Sequence, residues 1–217
     1  MRQICTFLGL DHKCGTSMIA QSVAESISMK LKDNRILLIH TERDSNNIFS
    51  PNVGESMENI QPYLSERLID IGEIAEKSRY KDNLYIIGGN GKPGNSGNIS
   101  PDMSEYLLGA PSTLFDVIIC DSGADFENGM SLGSIFSANN IYLVGTPSEA
   151  TLRKAESSMS FYRSINLPLT KLIINKYARK SVNTIDLISK RLGFKQEDIF
   201  VIGETENGDR AEHEERS

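Results

Sequence analysis

The chain has 217 residues, 39% of them hydrophobic and 24% charged, which is typical of one globular domain and excludes a disordered or fibrous protein. The net charge is −6, and residues 204–217 carry six acidic and two basic side chains, so nucleic acid is not an expected partner. Three cysteines and three histidines show no metal-ligand spacing. No apolar stretch is long enough to span a membrane and no signal-peptide pattern is present, so we expect a cytoplasmic protein.

Seven short apolar runs predict seven strands. Most of the runs are continuous rather than alternating, which is typical of strands covered on both faces. They lie at 4–8, 35–39, 84–87, 117–120, 141–144, 172–174 and 199–202. Helical spacing of apolar residues separates them, so right-handed crossovers between parallel strands are expected. We therefore predict a single α/β domain over residues 1–203, with a mostly parallel sheet of about seven strands and helices on both faces.

Three further segments complete this organisation. Residues 53–80 predict two short helices, with Ser65 or Asp70 as a cap between them. Residues 88–98 contain five glycines and predict a surface loop. Residues 204–217 have no apolar face, so we expect an acidic tail that does not bury enough surface to become ordered, and that cannot act as a membrane anchor.

The first predicted strand leads into a glycine-flanked turn. Gly9 and Gly15 bracket the turn, and Thr16 and Ser17 open the helix that follows. A strand, such a turn and a helix N-terminus form the usual cradle for a phosphate, and the Ser17 hydroxyl could ligate Mg²⁺. The standard pattern GxxxxGK[ST] has a lysine where Thr16 stands and one residue fewer between the glycines. Alone, the segment is equally consistent with an ordinary turn capped by Thr16 or Ser17.

Polar residues end three other predicted strands. Asp121 follows an apolar run, the arrangement in which a Walker B carboxylate holds Mg²⁺ directly or through water. His40 and Glu42 follow the second strand, and Asn175 follows the sixth. Each is also a common residue type at an ordinary strand end, and ligands bind at this edge of a parallel sheet.

Together these segments resemble the MinD/ParA-type deviant P-loop proteins, over residues 1–202. That family has KGGxGKT in the loop and LLIDxD at the second strand, which aligns Asp11 and Thr16 with its two lysines and His40 with its first acid. Gly15-Thr16-Ser17 and the residues after it are most similar to the TadZ/CpaE branch, in which the second lysine is lost.

The resemblance implies a site for ATP and Mg²⁺. Glu42 would be the carboxylate near the attacking water, Ser17 and Asp121 would hold the metal ion, and Asn175 and Lys176 would contact adenine. The expected phosphate-binding residues are Gly9, Lys13, Cys14, Gly15, Thr16, Ser17 and Met18.

By the same resemblance, the protein would be a homodimeric localisation or assembly factor that works with protein partners of a pilus or secretion apparatus. Because both loop lysines are absent, and such charges stabilise the transition state of phosphoryl transfer, we expect slow ATP hydrolysis or none. One alternative is a scaffold that binds no nucleotide. Another is an ATP-dependent synthetase, for which the sequence offers no substrate-binding group near the loop beyond Lys13.

Overall fold

A computed structural model of the chain describes residues 3–41, 54–89, 99–124, 128–167 and 169–204. The strands are β1 (Gln3–Gly9), β2 (Ile36–His40), β3 (Glu55–Ser56), β4 (Arg79–Lys81), β5 (Leu84–Gly88), β6 (Val117–Asp121), β7 (Asn140–Gly145), β8 (Leu169–Tyr177) and β9 (Ile199–Gly203). The α-helices are α1 (Thr16–Lys30), α2 (Met57–Glu66), α3 (Ile71–Lys77), α4 (Pro101–Gly109), α5 (Gly129–Ser137), α6 (Glu149–Ser164) and α7 (Ile185–Leu192).

All strands except β4 run parallel, in the order β3-β5-β2-β6-β1-β7-β8-β9, and β4 pairs antiparallel with β5. The predicted single α/β domain with helices on both faces is confirmed, and each of the seven predicted strands is present. The sheet described has nine strands instead of seven. The two additional ones are a two-residue strand and a three-residue polar strand, so neither produces an apolar run in the sequence.

The core consists of apolar layers on the two faces of this sheet. Every residue of β2 and β5 is buried, as continuous apolar strands require. Ile19, Ala20 and Ala24 place α1 against one face, and Ile60 and Leu107 belong to α2 and α4 on the other. Burial of each large aliphatic side chain contributes about 1.5–3 kcal/mol, so these layers fix the positions of the strand ends.

Strand order reverses around β1, which lies between β6 and β7. In open parallel sheets, a ligand-binding crevice forms outside the carboxyl ends of the strands at such a reversal. Gly9, His40 and Asp121 are the last residues of β1, β2 and β6, so the topology brings three of the predicted site segments to one place.

The remaining predictions concern partly described residues and partly residues outside the structure. Asp70 caps α3, as one of the two alternatives had it, whereas Ser65 lies inside α2. Glu42, most of the 88–98 loop and residues 205–217 lie outside the described residues, so the catalytic carboxylate, the loop and the acidic tail stay predictions. Among the described helices, none combines the length and the apolar character needed to cross a membrane.

Candidate functional site

The turn between β1 and α1 is held by backbone contacts with the neighbouring strands. The Gly9 N–H donates to the Gly123 carbonyl, and the Leu10 N–H donates to the Val144 carbonyl at 2.8 Å. Lys13 and Gly15 both adopt positive φ, of 61° and 82°. Positive φ is a conformation that favours glycine, so Gly15 has a backbone reason to be glycine at the start of α1.

The N-terminus of α1 differs from those of the other α-helices described. Gly15 is its N-cap, and no side chain accepts a hydrogen bond there, so the alternative in which Thr16 or Ser17 caps an ordinary turn is not what the structure shows. The other described α-helices begin at side-chain caps, namely Ser56, Asp70, Ser100, Asn128, Ser148 and Thr184. An N-terminus without a side-chain cap leaves its N–H groups and the positive end of the helix dipole to an anion.

The side chains around this N-terminus differ in accessibility. Thr16 is buried, and a Cβ atom placed on Gly9 would lie 2.7 Å from its Oγ1. Ser17 is half-buried, while Met18 and Lys13 are exposed. The loop therefore carries one exposed lysine, Lys13, and its shape depends on the close approach of Gly9 to Thr16.

Asn175, near the end of β8, is hydrogen-bonded to the loop. Its Nδ2 donates to the Cys14 carbonyl at 2.8 Å, and its Oδ1 accepts from the Lys176 N–H at 2.9 Å. A Cβ on Gly15 would overlap the same Nδ2. Asn175 is buried and both ends of its amide are hydrogen-bonded within the chain, whereas Lys176 is exposed. The adenine contacts expected of these two residues stay a prediction.

The charges near the loop differ from those of the MinD/ParA loop pattern. Asp11, which aligns with a lysine of that pattern, accepts a hydrogen bond from Lys154 Nζ of α6 at 2.5 Å. This contact lowers the pKa of the Asp11 carboxyl. Burial raises the pKa of the Cys14 thiol, so Cys14 is a protonated packing residue in the loop and not a nucleophile.

Asp121 forms a buried pair with His40. The two residues are register partners on adjacent strands, and His40 Nδ1 lies 2.8 Å from Asp121 Oδ2. Their side chains are 5% and 0% exposed. The other carboxylate oxygen, Oδ1, accepts from the Gly123 N–H at 3.3 Å. Both oxygens of the predicted Walker B carboxylate thus have partners within the chain.

A cluster of buried hydroxyl groups lies next to this pair and contacts the backbone of Asp121. The Thr41 hydroxyl donates to the Asp121 carbonyl at 3.0 Å and lies 3.1 Å from Ser122 Oγ, which in turn lies 2.7 Å from Ser134 Oγ. Ser131, capped by Asn128, connects the cluster to the start of α5. Sequence reasoning did not include these hydroxyls, because serine and threonine at strand and helix ends carry no distinguishing pattern.

The two halves of the site fit a nucleotide unequally. The uncapped α1 N-terminus and the Gly9–Ser17 turn fit a phosphate group. The Asp121 carboxylate is closed to solvent and offers no open position to Mg²⁺ as it lies, and among the described residues no three His, Cys, Asp or Glu side chains form a group that could hold a metal ion. The metal roles predicted for Ser17 and Asp121 stay predictions.

Comparisons with known proteins give a fold but no sequence family. No protein-family model and no curated protein matches the sequence. A ParA family ATPase from Chlorobium tepidum TLS superposes with a TM-score of 0.82 at 19% identity, over 97% of this chain and 87% of that one. The fold is that of the ParA and MinD ATPases.

Two further solved structures of this fold contain nucleotide. MinD from Pyrococcus horikoshii OT3, complexed with Mg-ADP, matches with a TM-score of 0.75 at 14% identity, over 99% of this chain and 86% of that one. A plasmid partition protein from Borrelia burgdorferi B31, bound to AMPPNP, matches with a TM-score of 0.70 at 18% identity, over 100% and 91%. The resemblance to the MinD/ParA group is thereby confirmed at the level of the fold, and the TadZ/CpaE branch stays a prediction.

Proposed function

We propose that this chain is an ATP-binding localisation factor that holds the phosphates through the backbone of its β1–α1 turn. The observation that carries the proposal is the α1 N-terminus, which no side chain caps, at the carboxyl end of the central strand in a ParA/MinD-type sheet. Backbone N–H groups and the helix dipole attract a phosphate without any lysine. Proteins of the same fold, at 14–18% identity, have been solved with ADP and AMPPNP.

Hydrolysis would be slow in this protein. Cations stabilise the transition state of phosphoryl transfer. Thr16 occupies the position of one loop lysine of the family pattern, and Asp11, at the position of the other, is an acid paired with Lys154. Lys13 is the cation within the loop, and its exposure leaves it solvated. A protein of this kind would act through occupancy of the site, as a homodimer with protein partners in the cytoplasm, and a pilus or secretion apparatus is the assembly we propose it positions.

A scaffold that binds no nucleotide is the second candidate. It is favoured by the closed Asp121 carboxylate and by Asp11, because the loop has an acid, paired with Lys154, where a phosphate-binding lysine would be expected. In that case the turn would serve only to connect β1 with α1.

Titration with a fluorescent ATP analogue tests the proposed function. Ser17→Glu places a carboxylate at the start of α1, where it is favourable for the helix and repels a phosphate. Ser22→Glu adds the same charge to an exposed position of the same helix and is the matched control. We expect saturable binding by the wild type and by Ser22→Glu, and none by Ser17→Glu. A dissociation constant of about 1 mM corresponds to a binding free energy of only about 4 kcal/mol. Absence of saturable binding to the wild type even at this nucleotide concentration would establish the scaffold instead.

A further inference from the structure

The His40–Asp121 pair occupies the place where the sequence predicted a metal-binding carboxylate. Mg²⁺ demands near-octahedral geometry, keeps several water ligands and binds a carboxylate oxygen at about 2.0–2.1 Å. Asp121 is fully buried, with the His40 ring 2.8 Å from Oδ2 and the Gly123 N–H on Oδ1. An ion on Oδ2 would therefore have to displace the imidazole and admit water to a closed position.

The imidazole is held in place by the strands rather than by a flexible loop. His40 and Asp121 are partners in the parallel register of β2 and β6, so their side chains leave the sheet on the same face. Thr41, the next residue, donates both its N–H (2.9 Å) and its hydroxyl (3.0 Å) to the Asp121 carbonyl. Because these bonds fix the ends of both strands, the 2.8 Å contact is built into the sheet.

The residue type at position 40 decides whether Asp121 requires a cation as its partner. Two carboxylates side by side repel each other and attract a cation between them. An imidazole beside a carboxylate supplies its own hydrogen-bond donor, so the two groups satisfy each other without an ion. Among the described residues, the hydrogen-bond partners of Asp121 and Thr41 contribute hydroxyls and backbone groups, and none contributes a second carboxylate.

We propose that the His40 imidazole replaces the metal ion as the partner of Asp121, so that nucleotide held by the β1–α1 turn binds without a divalent cation. This inference rests on the proposed nucleotide binding. It makes His40 a positioning residue, because the side chain acts by closing Asp121.

The experiment compares nucleotide affinity in excess Mg²⁺ and in EDTA, using a fluorescent ATP analogue and checking the fold of each variant by circular dichroism. For the wild type we expect dissociation constants within about twofold of each other in the two conditions. His40→Ala uncovers Asp121, and we expect its affinity to become Mg²⁺-dependent by about tenfold, the scale of one charge-assisted contact. Ser28→Ala removes a buried hydroxyl that donates to Asn83 and has no part in the His40–Asp121 pair, so its affinity should stay independent of Mg²⁺.

Asp121→Asn gives a second measurement that does not depend on how His40→Ala folds. It keeps the shape of the side chain and removes its charge, and we expect its dissociation constants in excess Mg²⁺ and in EDTA to stay within about twofold of each other. Binding by the wild type that is lost in EDTA would overturn the inference and leave the proposed function standing. So would an Asp121→Asn defect seen only in Mg²⁺, or a folded His40→Ala variant indifferent to Mg²⁺. Absence of nucleotide binding to the wild type under both conditions would refute the proposed function, and this inference with it.

Discussion

The two halves of the candidate site are built from different parts of the chain. The β1–α1 turn is defined by backbone: a positive φ at Gly15, the Leu10 N–H on the Val144 carbonyl, and a helix N-terminus without a side-chain cap. The Asp121 half is defined by side chains, and its chemistry depends on which residue lies next to the carboxylate. The uncapped turn is therefore present although both lysines of the family pattern are absent, while one histidine is enough to close the carboxylate that was predicted to bind a metal ion. A site made of backbone tolerates substitutions that a site made of side chains does not.

The largest effect should follow from Gly15→Ala, which changes the backbone of the β1–α1 turn directly. A positive φ costs a residue with a Cβ about 1–2 kcal/mol, and the new methyl group would overlap Asn175 Nδ2. We expect the free energy of unfolding to fall by about 2–4 kcal/mol in urea titrations and nucleotide affinity to fall more than about tenfold.

Gly109→Ala is the matched control, because it lies in α4 and its Cβ would meet no atom within 4 Å. Alanine is the better helix former, so stability should stay the same or rise by up to about 1 kcal/mol, with unchanged nucleotide affinity. Equal behaviour of the two variants would show that the turn geometry is not needed.

A smaller effect is expected for Asn175→Ala. The substitution leaves the Cys14 carbonyl without its donor, which should cost about 1–3 kcal/mol of stability, and the loosened turn should bind nucleotide more weakly. Asn83→Ala is the control: its Nδ2 donates to the Leu31 and Asn34 carbonyls at the opposite edge of the sheet. Chemical denaturation should show a loss for both variants, and nucleotide titration a loss for Asn175→Ala alone. An unchanged affinity in Asn175→Ala would mean that the turn holds its shape without the amide.

Thr16→Lys should increase nucleotide affinity, because it adds to the β1–α1 turn a cation that the turn lacks at this position. An ammonium group at the start of α1 gains a charge-assisted contact with phosphate, so we expect nucleotide affinity to rise by about tenfold. Thr16→Met supplies a long side chain without charge and should bind no more tightly than the wild type. The two dissociation constants, measured with the same ATP analogue, distinguish charge from packing. Equal values would contradict a phosphate position beside residue 16.

The smallest effect belongs to an ion-pair group that joins α6 and α7. Arg191 of α7 contacts Glu149 at 2.8 Å and Glu156 at 2.7 Å, both on α6, and Arg191 together with Arg153 lowers the pKa of Glu149 from 4.5 to about 2. A lowered pKa contributes stability that is complete above pH 4.5 and is lost as the pH falls through about 2.

Glu149→Gln should therefore have a slightly lower melting temperature than the wild type at neutral pH. The difference should shrink on acidification, and nucleotide affinity should not change. A difference that is constant with pH would show that the carboxylate charge is not what stabilises this contact.

Sequence patterns predicted most of the sheet because buried parallel strands produce continuous apolar runs. The predicted run at 84–87 matches β5 to within one residue. Glu55–Ser56 and Arg79–Lys81 were missed because two or three polar residues at the margin of a sheet have no hydrophobic signature. Ser65 and Asp70 were the two possible caps. The structure decides between them, because α2 continues to Glu66 and so includes Ser65, while Asp70 precedes α3.

The candidate site was located from the sequence, but its contacts were not. Gly15 and Asp121 could be placed because glycine-flanked turns and strand-ending carboxylates recur at one edge of a parallel sheet. The pairing of His40 with Asp121 depends on strand register, and that of Asn175 with Cys14 joins residues 161 positions apart. Neither follows from local pattern, since register and long-range contacts are set by the packing of the whole sheet.

The central position of β1 has a consequence for biosynthesis. Its partners on either side begin at Val117 and Asn140, so a growing chain makes β1 and the turn after it long before either neighbour exists. Contacts between distant segments are slow to form, because loop-closure entropy must be overcome first. Until β6 and β7 have left the ribosome, the apolar residues of β1 have no strand to pair with, and such unpaired segments are the ones that aggregate or recruit chaperones. The proposed phosphate site can therefore form only after the strands on both sides of β1 have been synthesised.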